Sequence, residues 1–156
     1  MQLSPMTVEA AAEICTWRYA APYDVFNWPE WEEMKASGYE FGDAGIRQTQ
    51  YAAIHNHAGE LIGFGQFFPM VGTTRLGLGL RPDLCDAGLG AAFVHFLAEA
   101  AVRLQPENEV DLEVLTWNTR AIKAYTKAGF IHTDTYERNT RDGVKEFRCM
   151  VYVNQK

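Results

Sequence analysis

The most regular hydrophobic pattern of the chain lies over residues 76–80, where leucine alternates with glycine. Because side chains alternate between the two faces of a strand, one face carries leucines and the other carries no side chain at Gly77 and Gly79. A bare face lets another backbone, or a ligand, come close. After a break at Pro82, a helix is predicted to end near Leu104. Its apolar residues recur at helical spacing: Leu89, Phe93, Phe96, Leu97, Ala100, Ala101 and Leu104.

The loop that joins this strand to this helix reads Asp86-Ala-Gly-Leu-Gly90. A helix amino terminus presents unpaired backbone N–H groups and the positive end of the helix dipole, and glycines leave room for a phosphate to touch the amides. The junction therefore favours an anion such as a phosphate. The pattern alone leaves open the alternative that the glycines only let the helix pack on the strand.

Shorter elements are predicted at the amino-terminal end. Residues 1–4 are typical of an edge strand, and Thr7 can cap a helix from Val8 to about Trp17. Six aromatic side chains then follow within residues 17–31, before a short helix near Pro29–Lys35. Such aromatics either cover the edge of a sheet or wall a pocket.

Alternating apolar and polar residues predict the other strands, and turn residues delimit them. These strands are Gln50–His55, Glu60–Phe68, Glu109–Leu115, Phe130–Arg138 and Lys145–Val153. Asn118 is expected to cap a further helix that ends at Gly129. The inward stripe of that helix is Ala121, Ile122, Tyr125 and Ala128. The last two strands form a hairpin closed by Arg141-Asp-Gly143.

Length and composition predict one domain over residues 1–156, because 156 residues that are 47% hydrophobic can form one sizeable core. No apolar run approaches the about 20 residues that span a bilayer, and the amino terminus does not resemble a signal peptide. A soluble, cytoplasmic protein with no membrane partner is therefore expected. Three cysteines without a close pair and four scattered histidines indicate neither a disulfide framework nor a metal site.

The formal charge of −6 is concentrated in residues 1–60, which hold nine acidic and three basic side chains, whereas residues 61–156 hold eleven of each. An acidic field argues against nucleic acid as a partner and favours a cationic one. The alternative is a solvated acidic helix around Glu30-Trp-Glu-Glu33.

Two ordered motifs stand out in the chain. Pro82 through Gly90 reads Pro-Asp-Leu-Cys-Asp-Ala-Gly-Leu-Gly. It resembles the cofactor signature of the GCN5-related N-acetyltransferase (GNAT) family, except that Cys85 stands where arginine or glutamine is usual and Asp86 where glycine is common. The second motif is complete and resembles that of ribosomal-protein N-terminal acetyltransferases. It reads Leu112-Glu-Val114, Asn118, Ala121, Tyr125 and Gly129-Phe130. Two signatures about thirty residues apart, on the expected elements, are far more specific than a lone glycine loop.

The resemblance implies an α+β fold, in which a mixed, mostly antiparallel sheet of six to seven strands is flanked by about four helices and splayed between strands 4 and 5. It also implies acetyl-CoA as cosubstrate between those strands, no metal, and an amine acceptor, and it leaves a homodimer open. The pantetheine would pair with the backbone at Leu78 and Leu80, and Asn118 would hold it or a bound water. The pyrophosphate would bind the amides of Asp86, Ala87, Gly88, Leu89, Gly90 and Ala91.

The implied reaction is direct attack of a primary amine on the thioester, with no covalent enzyme intermediate. Freeing an amine of pKa about 10.4 at pH 7 costs near 5 kcal/mol, so a base is needed. The resemblance gives this role to Glu113, for which solvent exposure or pairing with a basic side chain is the alternative. It gives protonation of the leaving thiolate to Tyr125. The difference between the pKa values of the phenol and the thiol makes this transfer cost roughly 2 kcal/mol. The alternative is that Tyr125 is only a core tyrosine.

The two departures from the first signature weaken the expected cofactor binding, unless Asp86 turns outward and Arg81, Arg120 or Lys123 supplies positive charge. A non-enzymatic acyl-CoA-binding or regulatory module therefore stays open, as does another nucleotide on the same loop. For the enzyme, the acceptor is expected to be a small cationic amine or a peptide amino group.

Overall fold

The computed structural model describes residues 1–153. Its strands are β1 (Gln2–Pro5), β2 (Tyr51–His55), β3 (Leu61–Met70), β4 (Thr73–Leu80), β5 (Glu109–Leu115), β6 (Phe130–Thr140) and β7 (Gly143–Tyr152). Its α-helices are α1 (Val8–Ile14), α2 (Trp31–Ser37), α3 (Ala44–Gln50), α4 (Gly90–Leu104) and α5 (Thr119–Ala128). Single 3-10 turns lie at Tyr23–Phe26, Glu40–Gly42 and Pro82–Leu84.

The strands form a seven-stranded sheet in the order β1-β2-β3-β4-β5-β7-β6. Strands β4 and β5 are parallel, whereas the β1–β2, β2–β3, β5–β7 and β6–β7 pairs are antiparallel. The predicted mixed α+β sheet is therefore confirmed, with five α-helices in residues 1–153 instead of about four.

The parallel pair carries the predicted split. Residues Thr73–Leu76 of β4 pair with Glu109–Leu112 of β5, and the ladder ends there although both strands continue. The ends of β4 and β5 therefore have backbone groups that do not pair with each other.

The chain divides into two compact units, of which the first contains Met1–Gln66 and Leu78–Ala87. Phe41, Met34 and Ile14 are fully buried in its core. Trp28 packs against this core, with its ring centroid 4.8 Å from that of Phe41. Part of the aromatic run thus covers the first unit's core.

The second unit contains Phe67–Gly77 and the chain from Gly88 onward. Its core is formed by side chains from α4, β5, β6 and β7, namely Phe93, Leu97, Leu112, Phe130 and Met150. The predicted apolar stripe of α4 is correct at its centre and wrong at its ends, where Leu89 is 41% and Leu104 56% exposed. Both residues lie at the limits of the helix, beyond the elements that cover its middle.

Several boundaries differ from the predicted ones. Helix α3 was not predicted, although Asp43 caps it by accepting a 2.9 Å hydrogen bond from the Ile46 backbone N–H. Gln50 consequently ends this helix and does not begin β2. Helix α1 ends at Ile14, before Trp17, because the backbone continues in a turn. The predicted hairpin is confirmed, and its strands reach Thr140 and Gly143.

Candidate active site

Helix α4 begins at Gly90 without a side-chain cap. Its first intrahelical hydrogen bond runs from Phe93 N–H to the Leu89 carbonyl oxygen at 2.9 Å, so the amides of the preceding helical residues have no intrahelical acceptor. Gly88, just before the helix, has a φ of +77°, which side chains rarely adopt. An uncapped amino terminus after a left-handed glycine suits a phosphate of the acetyl-CoA that the resemblance implies. The individual contacts of residues 86–91 remain predictions.

The end of β4 has less open backbone than its sequence predicts. A Cβ atom at Gly79 would overlap the ring of Phe64, so a neighbouring side chain occupies the bare face at this position. The carbonyl oxygen of Leu80 accepts a 2.6 Å hydrogen bond from the Tyr19 hydroxyl and one of 3.6 Å from Cys85 Sγ. Pairing of the pantetheine with Leu78 and Leu80 remains a prediction, and at Leu80 the carbonyl already has these donors.

Arg81, one of the three cations expected to offset Asp86, is bound to neighbouring groups. Its guanidinium donates to both carboxylate oxygens of Asp83, at 2.6 and 3.1 Å, and to the Leu61 carbonyl oxygen at 3.0 Å. Glu60 lies 3.8 Å away. The hydrogen bond with Asp83 raises the pKa of Arg81 and lowers the pKa of Asp83. Arg81 is therefore a poor source of charge for a pyrophosphate.

Asn118 caps α5 as predicted, because its side-chain oxygen accepts a 3.2 Å hydrogen bond from the Ala121 N–H. The residue is 7% exposed. Within residues 1–153 its side-chain NH₂ group donates no hydrogen bond. A donor of this kind can bind the carbonyl oxygen of a pantetheine amide or a water.

Tyr125 is half-buried on the same helix, with its ring centroid 6.2 Å from that of Phe130. Burial raises its pKa to about 12, so the phenol keeps its proton at neutral pH. Its hydroxyl has no hydrogen-bond partner among residues 1–153. The group can therefore donate a proton to a ligand without breaking an existing contact.

The side chain of Glu113 is 12% exposed and bound by three donors. Arg138 Nε lies 3.1 and 3.2 Å from its two oxygens, Arg75 Nη1 lies 3.5 Å from Oε1, and the Tyr136 hydroxyl donates to Oε2. Glu113 therefore does pair with basic side chains, which is the alternative given above for its role. In residues 1–153 these are its hydrogen-bond and ion-pair partners, and Tyr125 is not among them.

Arg75 also binds Asp111, the next residue of β5 on the same face as Glu113. Its Nε and Nη2 donate to the two carboxylate oxygens at 3.0 and 2.9 Å, a bidentate geometry that fixes the guanidinium. These hydrogen bonds and the nearby carboxylates raise the pKa of Arg75, against the opposing effect of its burial. The network of Arg75, Asp111, Glu113, Tyr136 and Arg138 was not predicted. Its signal in the sequence is limited to β5, where acidic residues alternate at Glu109, Asp111 and Glu113.

No group of three histidine, cysteine, aspartate or glutamate side chains in residues 1–153 is placed to hold a metal ion. Across the same residues, no helix is long and apolar enough to span a membrane.

The comparisons with known proteins give a family match from the sequence and a fold match from solved structures. The sequence model of the acetyltransferase (GNAT) family matches residues 12–130. Among solved structures, a spermidine N-acetyltransferase SpeG chimera from Vibrio cholerae and hSSAT is 11% identical, with a TM-score of 0.74 and coverage of 97% of this chain and 94% of that one. The ribosomal-protein-S18-alanine N-acetyltransferase from Escherichia coli is 22% identical, with a TM-score of 0.64 and coverage of 97% and 92%. No curated protein sequence is a significant match.

Proposed function

Because the chain belongs to the acetyltransferase (GNAT) family, we propose that it transfers the acetyl group of acetyl-CoA directly to a primary amine in a ternary complex. This proposal rests on two groups of α5 and its cap, the side-chain amide of Asn118 and the hydroxyl of Tyr125. Neither group donates a hydrogen bond to an acceptor in residues 1–153. The two residues are seven positions apart, about two helical turns, and so share one face of the helix.

The residues proposed to bind acetyl-CoA are those that the resemblance implies. In the second unit, the uncapped start of α4 supports pyrophosphate binding by the amides of Gly88, Leu89, Gly90 and Ala91. In the first unit, Asp86 and Ala87 are proposed to continue this binding loop, and Leu78 and Leu80 to bind the pantetheine. No metal is required, because a thioester is already activated toward attack by an amine.

In the proposed reaction the ammonium group of the acceptor first loses a proton to Glu113. The neutral amine nitrogen then bonds to the thioester carbon while the carbon–sulfur bond breaks, and the second nitrogen proton passes to water as the amide forms. Tyr125 protonates the departing thiolate. Burial keeps its phenol protonated at neutral pH, and the same raised pKa makes it a weaker acid toward that thiolate. Water then returns a proton to Tyr125 and removes one from Glu113.

The acceptor is proposed to be a small cationic amine or a peptide amino group. The first is supported by the acidic residues 1–60. Three of them, Glu9, Glu13 and Glu60, line an open pocket of about 420 Å³, which Arg81 also lines. The second is supported by the complete spacing of Leu112-Glu-Val114, Asn118 and Tyr125. The two neighbours act on spermidine and on the alanine of ribosomal protein S18, according to their names.

The test is CoA release from acetyl-CoA in the presence of a polyamine panel and of a panel of short peptides, with the acetylated product identified by mass spectrometry. The proposed function expects release with at least one panel, and the panel that reacts identifies the acceptor class. Release with neither panel by a chain that binds CoA in calorimetry would contradict it.

That outcome would support the other candidate, a non-enzymatic acyl-CoA-binding module. It is favoured by one observation, the engagement of Arg81 by Asp83, which leaves the altered first signature with less positive charge for the pyrophosphate. Weak, salt-sensitive CoA affinity without turnover is its expected signature.

A further inference from the structure

Tyr136 and Glu113 lie on strands that are not neighbours in the sheet. Strand β7 separates them, with Cys149 paired to Glu113 and Phe147 paired to Tyr136. The Tyr136 ring reaches across β7, and its hydroxyl donates a hydrogen bond to Glu113 Oε2. The contact therefore depends on the β5-β7-β6 order, and the sequence spacing of the two residues carries no sign of it.

The three donors around Glu113 differ in what they can do with a proton. Arg75 and Arg138 present guanidinium N–H groups, which donate and have no lone pair to accept with. Tyr136 presents a hydroxyl, which donates to Glu113 and can accept at the same oxygen. A proton that reaches Glu113 through its existing partners must therefore pass through Tyr136.

The Tyr136 oxygen has room to accept. The residue is half-buried, and the bond to Glu113 is its hydroxyl's one hydrogen bond within residues 1–153. By contrast, Glu113 Oε1 lies against Arg75 and Arg138, and Oε2 against Arg138 and Tyr136. A carboxylate has about four lone-pair positions, and this set of donors occupies most of them.

The other titratable groups that face this pair are accounted for. Asp111 is held by Arg75, and the Cys149 thiol lies 3.5 Å from Asp111 Oδ2. Burial is the main cause that raises the pKa of the Cys149 thiol, so it stays protonated and is a poor base. Neither group offers a shorter proton path to Glu113.

We propose that Tyr136 is the relay through which Glu113 accepts the proton of the acceptor amine, an inference that rests on the proposed function. Before the carbon–nitrogen bond forms, the ammonium nitrogen gives a proton to Tyr136 Oη while the Tyr136 hydroxyl proton moves to Glu113 Oε2. Tyr136 ends as a neutral phenol and Glu113 as a neutral acid. Glu113 later returns its proton to solvent by the reverse path, so atoms and charges balance.

The test compares Tyr136→Phe with a matched control, Tyr152→Phe. The Tyr152 hydroxyl also donates to a glutamate, Glu99 at 2.9 Å, but outside the network of Glu113. With the amine found active for the wild type, Tyr136→Phe is expected to lower kcat about 100-fold, with an unchanged KM for acetyl-CoA. Tyr152→Phe is expected to keep the wild-type kcat.

A double variant separates a relay from a structural role. If both residues act on one proton, Glu113→Gln combined with Tyr136→Phe should be no slower than the slower single variant. Additive losses, or a Tyr136→Phe variant with wild-type kcat while Glu113→Gln is inactive, would overturn the relay and leave Glu113 as a direct base.

A readout that does not use turnover is the absorbance titration of tyrosinate. Burial raises the pKa of Tyr136, and the hydrogen bond to Glu113 raises it further. Glu113→Gln should therefore shift one tyrosine toward lower pH, and this shift should vanish in the Tyr136→Phe background. An unchanged titration would overturn the contact.

The two proposals can fail separately. A wild-type chain that binds CoA but acetylates no amine would overturn both the proposed function and the relay. A Tyr136→Phe variant with wild-type activity would overturn the relay alone.

Discussion

A Cβ atom added at Gly79 would overlap the aromatic ring of Phe64, so β4 has a glycine at this position because a neighbouring ring fills the space. The alternation of leucine and glycine is therefore partly a packing feature of the first unit. Helix α4 starts without a side-chain cap, and the binding of a phosphate there stays a prediction.

Replacing Gly79 with alanine should lower the free energy of unfolding by about 1–3 kcal/mol, because the Phe64 ring must shift to accommodate the methyl group. Urea denaturation measures this. Gly90→Ala is the control, since its added Cβ would lie at an ordinary 3.4 Å from the Ala124 Cβ. Equal stability of the two variants would show that Phe64 does not require the glycine.

Arg75 should contribute strongly to stability, because it neutralises Asp111, which is 6% exposed. Arg75→Met leaves that carboxylate buried without its bidentate partner, and we expect a loss of about 2–3 kcal/mol. Replacing both residues, as in Arg75→Met with Asp111→Leu, should restore part of the loss in urea denaturation. Additive losses in the double variant would contradict this coupling.

Tyr125 should make stability fall in alkaline solution. Its pKa is about 12 in the folded chain against about 10 when unfolded, so folding is favoured fully below pH 10 and less as the pH rises from 10 to 12. The wild type should therefore lose about 2 kcal/mol more than Tyr125→Phe over that range. Parallel stability curves for the two chains would show that the hydroxyl is not buried.

The three cysteines should differ in reactivity. Burial raises the pKa of Cys15 to about 11 and also raises that of Cys149, and both side chains are buried. Since the thiolate is the reactive form, Cys85 should be the one thiol that reacts quickly with Ellman's reagent at pH 8. Cys85→Ser should abolish the fast phase in the folded chain, while unfolding exposes the remaining thiols. A persistent fast phase in that variant would contradict the assignment.

The sequence predicts correctly those features that depend only on residues close together in the chain. The Thr7 and Asn118 caps, the Arg141-Asp-Gly143 turn and the α4 stripe all depend on contacts a few residues apart. Asp43 carries the same kind of signal for α3, but no strong apolar stripe follows it, so the hydrophobic pattern does not predict this helix.

The surroundings of Glu113 could not be predicted in the same way. Strand alternation places Asp111 and Glu113 on one face, but the contact with Tyr136 needs the hairpin to insert β7 between β5 and β6. Likewise the ring that fills the space at Gly79 comes from β3, at a position that no local pattern specifies.

The most direct measurement of the proposed function is the turnover number for CoA release, compared between the wild type and Tyr125→Phe at saturating acetyl-CoA and a reactive amine. We expect turnover by the wild type, about a 100-fold lower kcat in Tyr125→Phe, and the same acetyl-CoA affinity in both. Equal turnover in the two chains would contradict the role of Tyr125, and no turnover by the wild type with any amine would contradict the acetyltransferase itself.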